Sequence, residues 1–323
     1  MADAPPKVSV VVPTYNREHL ICEALDSVQA QTFRDLEIIV IDDGSEDDTV
    51  ARVSAWAETV PLPVVYEKQP NAGGNAARNR GIDRARGRFV AFLDSDDLWH
   101  PQKIEKQMAR LAARPEFGAV YCGLRETDAE SGRVIAQPRH AFPEGGLLNA
   151  LLVSDVTAPT SAYLAERRLL IEAGKFDLAL AARQDWDMWI RLARLAPIGC
   201  VPEVLVDLRQ HPGPRTVSDP ARELRAHKRI LDKYAALRRR RAWWLPLAAR
   251  ASFHRRTGRV QFHYLGRRGA AIRHYLTAIA LWPFAADSWA ALLGAFLPAG
   301  IRGRLRRRWN SVFGRTFLAI RNH

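Results

Sequence analysis

The chain has 323 residues, 47% hydrophobic and 26% charged, a globular balance that excludes a disordered or low-complexity protein. Its net charge of +13 is lopsided: residues 221–323 carry 23 Lys/Arg against 3 Asp/Glu, whereas residues 1–220 carry 25 against 32. Three cysteines (Cys22, Cys122, Cys200) without a CxxC spacing exclude a disulfide framework and a zinc knuckle and fit a reducing compartment.

In chain order, the polar start does not read as a signal peptide. It runs into Val-Ser-Val-Val-Val-Pro at 8–13, a β-branched stretch typical of a strand buried on both faces. Residues 19–31 then space Leu20, Ala24, Leu25 and Val28 as one helix face. Strands are predicted at 36–41, 63–67 and 88–93, with helices at 49–57 and 75–85 between them. Such alternation implies a mostly parallel sheet with helices on both faces. The pattern is mixed after Trp99: helix at 101–113, strand at 117–122, a polar segment to 144, helix at 147–152, strand at 160–164. A helix within 176–196 carries Gln184-Asp185-Trp186-Asp187, and a strand at 204–209 leads into His211-Pro-Gly. Beyond 220 only helical patterns remain. No segment offers about 20 uninterrupted apolar residues; residues 275–301, broken by Pro283, Asp287 and Pro298, predict two short helices.

In a parallel sheet, ligands collect beyond the carboxyl ends of the strands. Three of those ends carry polar clusters: Thr14-Tyr15-Asn16, Asp42-Asp43, and Asp94-Ser95-Asp96-Asp97. Neighbouring carboxylates repel and raise one another's pKa, so a group of them calls for a cation. A hard divalent ion, Mn²⁺ or Mg²⁺, uses one or two carboxylates and fills its shell with water and phosphate. Asp94 and Asp96, alternate residues of an extended segment, would face the same side. Each cluster alone has a plainer reading: Asp-Gly-Ser as a turn, Asp97 as a helix cap, Asn71-Ala-Gly-Gly74 as an ordinary loop. Their arrangement on successive strand ends points to a nucleotide-phosphate and metal site.

The motifs Ser9-Val-Val-Val-Pro-Thr-Tyr-Asn16, Ile41-Asp-Asp-Gly-Ser45, Asn71-Ala-Gly-Gly-Asn-Ala-Ala-Arg-Asn79, Phe92-Leu-Asp-Ser-Asp-Asp-Leu98, Gln184-Asp185 and Leu208-Arg-Gln-His-Pro-Gly213 follow one another as in the inverting family 2 glycosyltransferases of GT-A fold, which residues 7–215 resemble. The resemblance implies an α/β, Rossmann-like GT-A catalytic domain over 1–220. It also implies that Pro13, Tyr15 and Asp43 line the nucleotide base pocket and that Arg78, Asp94 and Ser95 lie at the donor. Asp96 would be the principal metal ligand and His211 a second one, for Mn²⁺ or Mg²⁺. Asp185 takes the place of the catalytic base, although Gln184 departs from the usual Glu or Asp before it. The implied substrates are a nucleotide-diphosphate sugar, UDP-linked, and a glycan or lipid-linked acceptor of cell-envelope polysaccharide synthesis.

Two rival readings are a sugar nucleotidyltransferase, whose Gly-rich basic signature after the first strand is missing here, and a non-catalytic nucleotide-binding scaffold, hinted at by Gln184. Trp186 and Trp189 read equally as a sugar-stacking platform or as core. The extension at 221–323 is basic, Trp-rich and all-helical. Arg238–Arg241, Trp243, Trp244, Trp282, Trp289 and the arginines of 302–308 suit an anionic membrane surface, or a bundle packed on the catalytic domain with a solvated Arg face. No nucleic-acid-binding signature is present. The expected location is cytoplasmic, peripheral on the inner face of the cell membrane.

Overall fold

The β-branched run becomes β1 (Val8–Thr14), buried along its whole length. Beside it lie α1 (Ile21–Gln29) and the equally buried β2 (Leu36–Asp42). The polar residues of this layer are satisfied: Ser9 Oγ donates to Glu37 Oε1 at 2.6 Å, and Glu37 also accepts from Arg86, as burial of polar groups demands. The chain is described here by a computed structural model over residues 4–137, 142–211 and 219–297. It continues through α2 (Thr49–Ala57), β3 (Val64–Lys68), α3 (Gly74–Arg84), β4 (Phe89–Phe92), a short β5 (Leu98–Trp99) and α4 (Lys103–Ala113). There follow β6 (Ala119–Asp128), β7 (Val134–Ala136), α5 (Leu148–Val153), a 3-10 turn at Thr160–Ala162, β8 (Tyr163–Glu166), α6 (Arg167–Glu172), α7 (Gln184–Leu192) and β9 (Ile198–Gln210).

The sheet runs β3-β2-β1-β4-β8-β6-β9-β5, with β7 on the flank of β6. Its first four strands are parallel, as the alternation implies. Its second half is mixed: β8 is antiparallel to β4 and β6, β9 parallel to β6, and β5 and β7 antiparallel to their neighbours. The order 3-2-1-4 reverses direction at β1, so the crevice opens between the carboxyl ends of β1 and β4. Helix α3 packs closely on β1 and β2 beside it: a Cβ at Gly81 would fall 2.2 Å from Val11 Cγ1.

Five helices complete the described chain: α8 (Pro220–Lys233), α9 (Ala235–Arg241), α10 (Leu245–His263), α11 (Arg268–Leu281) and α12 (Ala286–Phe296). Ile230, Tyr234 and Leu245 are part of the same buried core as the sheet, whereas Ala271, Tyr275 and Ala295 of the last two helices form a small core of their own. Among the described residues no helix is long and apolar enough to cross a membrane. Arg238, read with the solvated run 238–241, is buried and donates to the carbonyls of Leu152 and Leu231; Arg239, Arg240 and Arg241 are exposed. The arginines of 302–308 and Pro212-Gly213 lie outside the described residues.

Candidate active site

At the end of β1, Pro13 is buried and Tyr15 stands at the rim, 43% exposed. The loops after β1 and β2 are laced together. Asn16 N–H donates to Ser45 Oγ at 2.9 Å and Asn16 Oδ1 accepts from Glu46 N–H at 2.9 Å. Asp42 closes its own turn, accepting from Ser45 N–H and from Tyr66 Oη; burial and this carboxylate push the Tyr66 phenol up. Asp43 is buried and accepts from Gln69 Nε2 (2.8 Å), Ala72 N–H (2.9 Å) and Gly73 N–H (2.7 Å). Its carboxylate therefore shapes the Gly-rich loop, where Gly73 sits at φ +91°, a conformation open to a residue without Cβ. That loop launches α3, which delivers Arg78: its Nη2 lies 2.5 Å from Asp94 Oδ1, while its Nε is buried without a partner.

The acidic motif after β4 is a turn and not an extended segment, because Asp97 N–H bonds back to Asp94 O at 3.0 Å. The expectation that Asp94 and Asp96 face one side is thereby corrected: Asp94 turns to Arg78, whereas Asp96 Oδ2 lies 2.9 Å from His211 Nε2. Ser95 is buried between them. Asp97 caps no helix. It is buried, accepts from Ser161 Oγ (2.6 Å) and Arg209 N–H (3.3 Å), and is pushed well up by that burial and by Asp96 and Asp94. Arg209 Nε donates to Asp96 O at 2.9 Å, stitching the end of β9 to the acidic turn and bringing His211 in.

Asp185 occupies the first turn of α7, behind Arg183 in a left-handed conformation (φ +56°). Its Oδ1 accepts from Trp186 N–H at 2.8 Å, and the side chain keeps partial access to solvent. Burial, then the neighbouring Asp155, push its carboxyl up to about 6; the Arg183 and Arg78 guanidinium groups act in the opposite sense. Asp155 is raised by burial too, against the pull of Arg183 and Arg256. Trp186 and Trp189 are fully buried, donating to the carbonyls of Leu151 and Ala158, and Trp189 stacks on Tyr163 at 3.5 Å. Their full burial decides for core over sugar platform.

The structure thus brings together Asp96 with His211, and Asp94 with Arg78, whose charge also acts on Asp185. Tyr15 stays at the rim and Asp43 beneath the loop. Sequence reasoning missed Asp155 and Arg183 as groups acting on Asp185, since a lone loop Asp and a pre-helical Arg carry no pattern. A carboxylate oxygen and an imidazole nitrogen in contact fit a divalent cation that draws its remaining ligands from water and phosphate. Among the described residues no three His, Cys, Asp or Glu side chains group to make a full protein cage.

Residues 9–166 match the family model described as Glycosyl transferase family 2. An uncharacterized glycosyltransferase of Rickettsia typhi is 32% identical over 211 residues, 64% of this chain and 64% of its own. The uncharacterized glycosyltransferase YwdF of Bacillus subtilis is 31% identical over 188 residues, 58% of this chain and 68% of its own. The chain spans 64% of the Rickettsia typhi relative and 34% of a Rickettsia felis one. Among solved structures, S. aureus TarS in complex with UDP has TM-score 0.56 and 20% identity, covering 96% of this chain and 89% of that one. Mannosyltransferase PcManGT from Pyrobaculum calidifontis in complex with GDP-Man and Mn²⁺ has TM-score 0.57 and 24% identity, covering 96% and 81%. The sheet described above is the GT-A fold of these neighbours.

Proposed function

The chain belongs to glycosyltransferase family 2, and from that premise we propose that it is an inverting, metal-assisted enzyme moving a sugar from a nucleoside-diphosphate donor, UDP-linked, to a hydroxyl of a glycan or lipid-linked acceptor. The observation that carries this reading is the acidic turn after β4, where the Asp94 carboxylate meets Arg78 and Asp96 meets His211, with Asp185 close enough for the Arg78 charge to pull its carboxyl down. The acidic turn is equipped for a diphosphate and its cation, Asp185 for a proton.

In this mechanism Asp185 accepts the proton of the acceptor hydroxyl as that oxygen attacks the sugar carbon and the bond to the diphosphate breaks. A carboxyl held near 6 is ionised at neutral pH yet basic enough to take the proton, a balance that favours general-base catalysis. Arg78 stays fixed by Asp94, and Asp43 keeps the 71–74 loop in the shape that admits the donor. Asp96 and His211 would hold Mn²⁺ or Mg²⁺, whose charge offsets that of the departing diphosphate. The neighbours solved with UDP, and with GDP-Man and Mn²⁺, support a nucleotide and a metal as ligands. The test is UDP release with and without Mn²⁺ in the wild type and Asp185→Asn. Metal-dependent release lost in the variant, with UDP binding intact, supports the reading; unchanged release removes Asp185 as base. UDP binding without any release in the wild type would favour the scaffold reading.

The same proposal places the protein on the inner face of the cell membrane. Trp243, Phe284 and Phe296 are 79%, 70% and 59% exposed, and all lie in the basic extension. Exposed aromatics among arginines suit a headgroup layer.

A further inference from the structure

Helix α8 meets the N-terminal turn of α7, the helix that carries the candidate base, at three points. Near the start, Glu223 lies 3.6 Å from Arg183 and pairs with Arg256 of α10. In the middle, the His227 ring meets the Trp186 indole edge-on at 4.8 Å and Phe253 of α10 at 5.3 Å. Towards the end, Tyr234 Oη donates to the buried Asp187 Oδ1 at 2.8 Å, and Lys233 Nζ lies 2.8 Å from the same oxygen. Arg183 and Glu223 are both largely enclosed, with side chains 13% and 14% exposed.

Arg256 and Arg183 thus meet at Glu223, and their charges carry on to the aspartates: both guanidinium groups pull Asp155 down, and Arg183, two residues before it, pulls Asp185 down. Two arginines share one glutamate, so Glu223 offsets the repulsion between them. The other groups acting on the two aspartates are Arg78 from α3 and Tyr163 from β8.

We propose that Glu223 and Arg256 are positioning residues for the Asp185 base, holding Arg183 against the Asp155–Asp185 pair, so that the basic helices complete the active site. This rests on the reading of Asp185 as base. The two partners act on that pair with opposite signs. Removing the Glu223 charge leaves Arg183 and Arg256 uncompensated, their positive field on the aspartates grows, and the carboxylates lose their protons at lower pH. Removing the Arg256 charge does the reverse. Loosened packing alone would move both variants in one direction.

The experiment compares kcat and KM against pH for wild type, Glu223→Gln, Arg256→Gln and Arg256→Lys, with carboxyl ¹³C titration of Asp155 and Asp185 in the same full-length proteins. Glu223→Gln is expected to move the acid limb of kcat down by about 0.5 pH unit and Arg256→Gln to move it up by about as much. Arg256→Lys should keep the wild-type limb, and the ¹³C titrations should follow the same signs. Shifts of one sign in both variants, or none in either, overturn the proposal. If Arg256→Gln does not fold, an unmoved limb in Glu223→Gln is enough to overturn it. The base itself is judged separately by Asp185→Asn. Turnover surviving there defeats the base reading, while the ¹³C titrations still decide whether Glu223 and Arg256 act on the Asp155–Asp185 pair.

Discussion

Replacing Asp185 by Asn should disable the enzyme and stabilise the protein, and the second effect is the more demanding test. The carboxyl is raised to about 6 by burial and by Asp155, so the folded state holds this proton more tightly than the unfolded chain does. For a group of that kind the fold loses stability as pH climbs from the ordinary aspartate value near ~4 through about 6. The displacement corresponds to about 3 kcal/mol at most, and to less in practice because the side chain keeps some solvent contact. Asn is neutral and retains the Oδ1 that accepts from Trp186 N–H, so the variant escapes the penalty without losing that bond. Thermal melts from pH 4 to 8 should show the variant level with wild type at the acid end. At pH 8 it should melt higher, by about 2 °C for each kcal/mol recovered. Over the same range wild-type sugar transfer should fall about tenfold per pH unit below 6, and the variant should lose about 10²–10⁴ in kcat at pH 8. A variant that melts lower than wild type at pH 8, or whose advantage ignores pH, refutes the argument that burial and like charge tune this carboxylate.

Chelation with EDTA should abolish transfer and Mn²⁺ should restore it, with His211→Ala needing about tenfold more Mn²⁺ for half-maximal rate; an unchanged Mn²⁺ titration removes His211 from the metal site. Asp43→Ala strips three donors of their acceptor and should cost about 2–4 kcal/mol in denaturant unfolding, together with UDP affinity measured by calorimetry. Wild-type protein should co-sediment with anionic liposomes, each basic residue near the surface contributing about 1 kcal/mol. Trp243→Ser combined with Phe284→Ser should weaken that binding while leaving transfer to a soluble acceptor untouched; equal sedimentation of the variant speaks against membrane docking there.

The parallel half of the sheet was legible because its signals are local. A β-branched run reports a buried strand, and a polar cluster straight after it reports a strand end facing ligand. The mixed half was not, for β8 inserts between β4 and β6 through pairings distant in sequence. Similar limits apply within the site. Asp96 and His211, 115 residues apart, could be named from their motifs, yet their contact at 2.9 Å depends on Arg209 tying β9 to the acidic turn. The turn itself was misread, since spacing alone cannot tell an extended Asp-Ser-Asp from one closed by the bond from Asp97 N–H to Asp94 O. Asp155, whose charge acts on Asp185, stands in a stretch with no periodicity at all.

The basic extension shows why composition misleads about packing. A surplus of arginine implies solvent or a polyanion only if the guanidinium groups reach the surface, and here Arg238 does not and Arg256 is half-buried. Arg238 spends its donors on two main-chain carbonyls beneath α5 and α8, where burial pulls it down to about 10, and Arg256 faces Glu223. Ile230, Tyr234 and Leu245 seal the core that the sheet began. A chain cut at residue 220 should therefore aggregate rather than yield a free catalytic domain, since it would bare that core and strip the buried Asp187 Oδ1 of Lys233 and Tyr234, leaving Arg191 on the other oxygen; a buried acceptor left unsatisfied costs about 1–3 kcal/mol. A soluble, active 1–220 fragment in size-exclusion chromatography would show that α8 covers a surface the domain does not need covered. The membrane question is consequently one for the exposed aromatics Trp243, Phe284 and Phe296, and point changes there, not truncation, are the perturbation that isolates it.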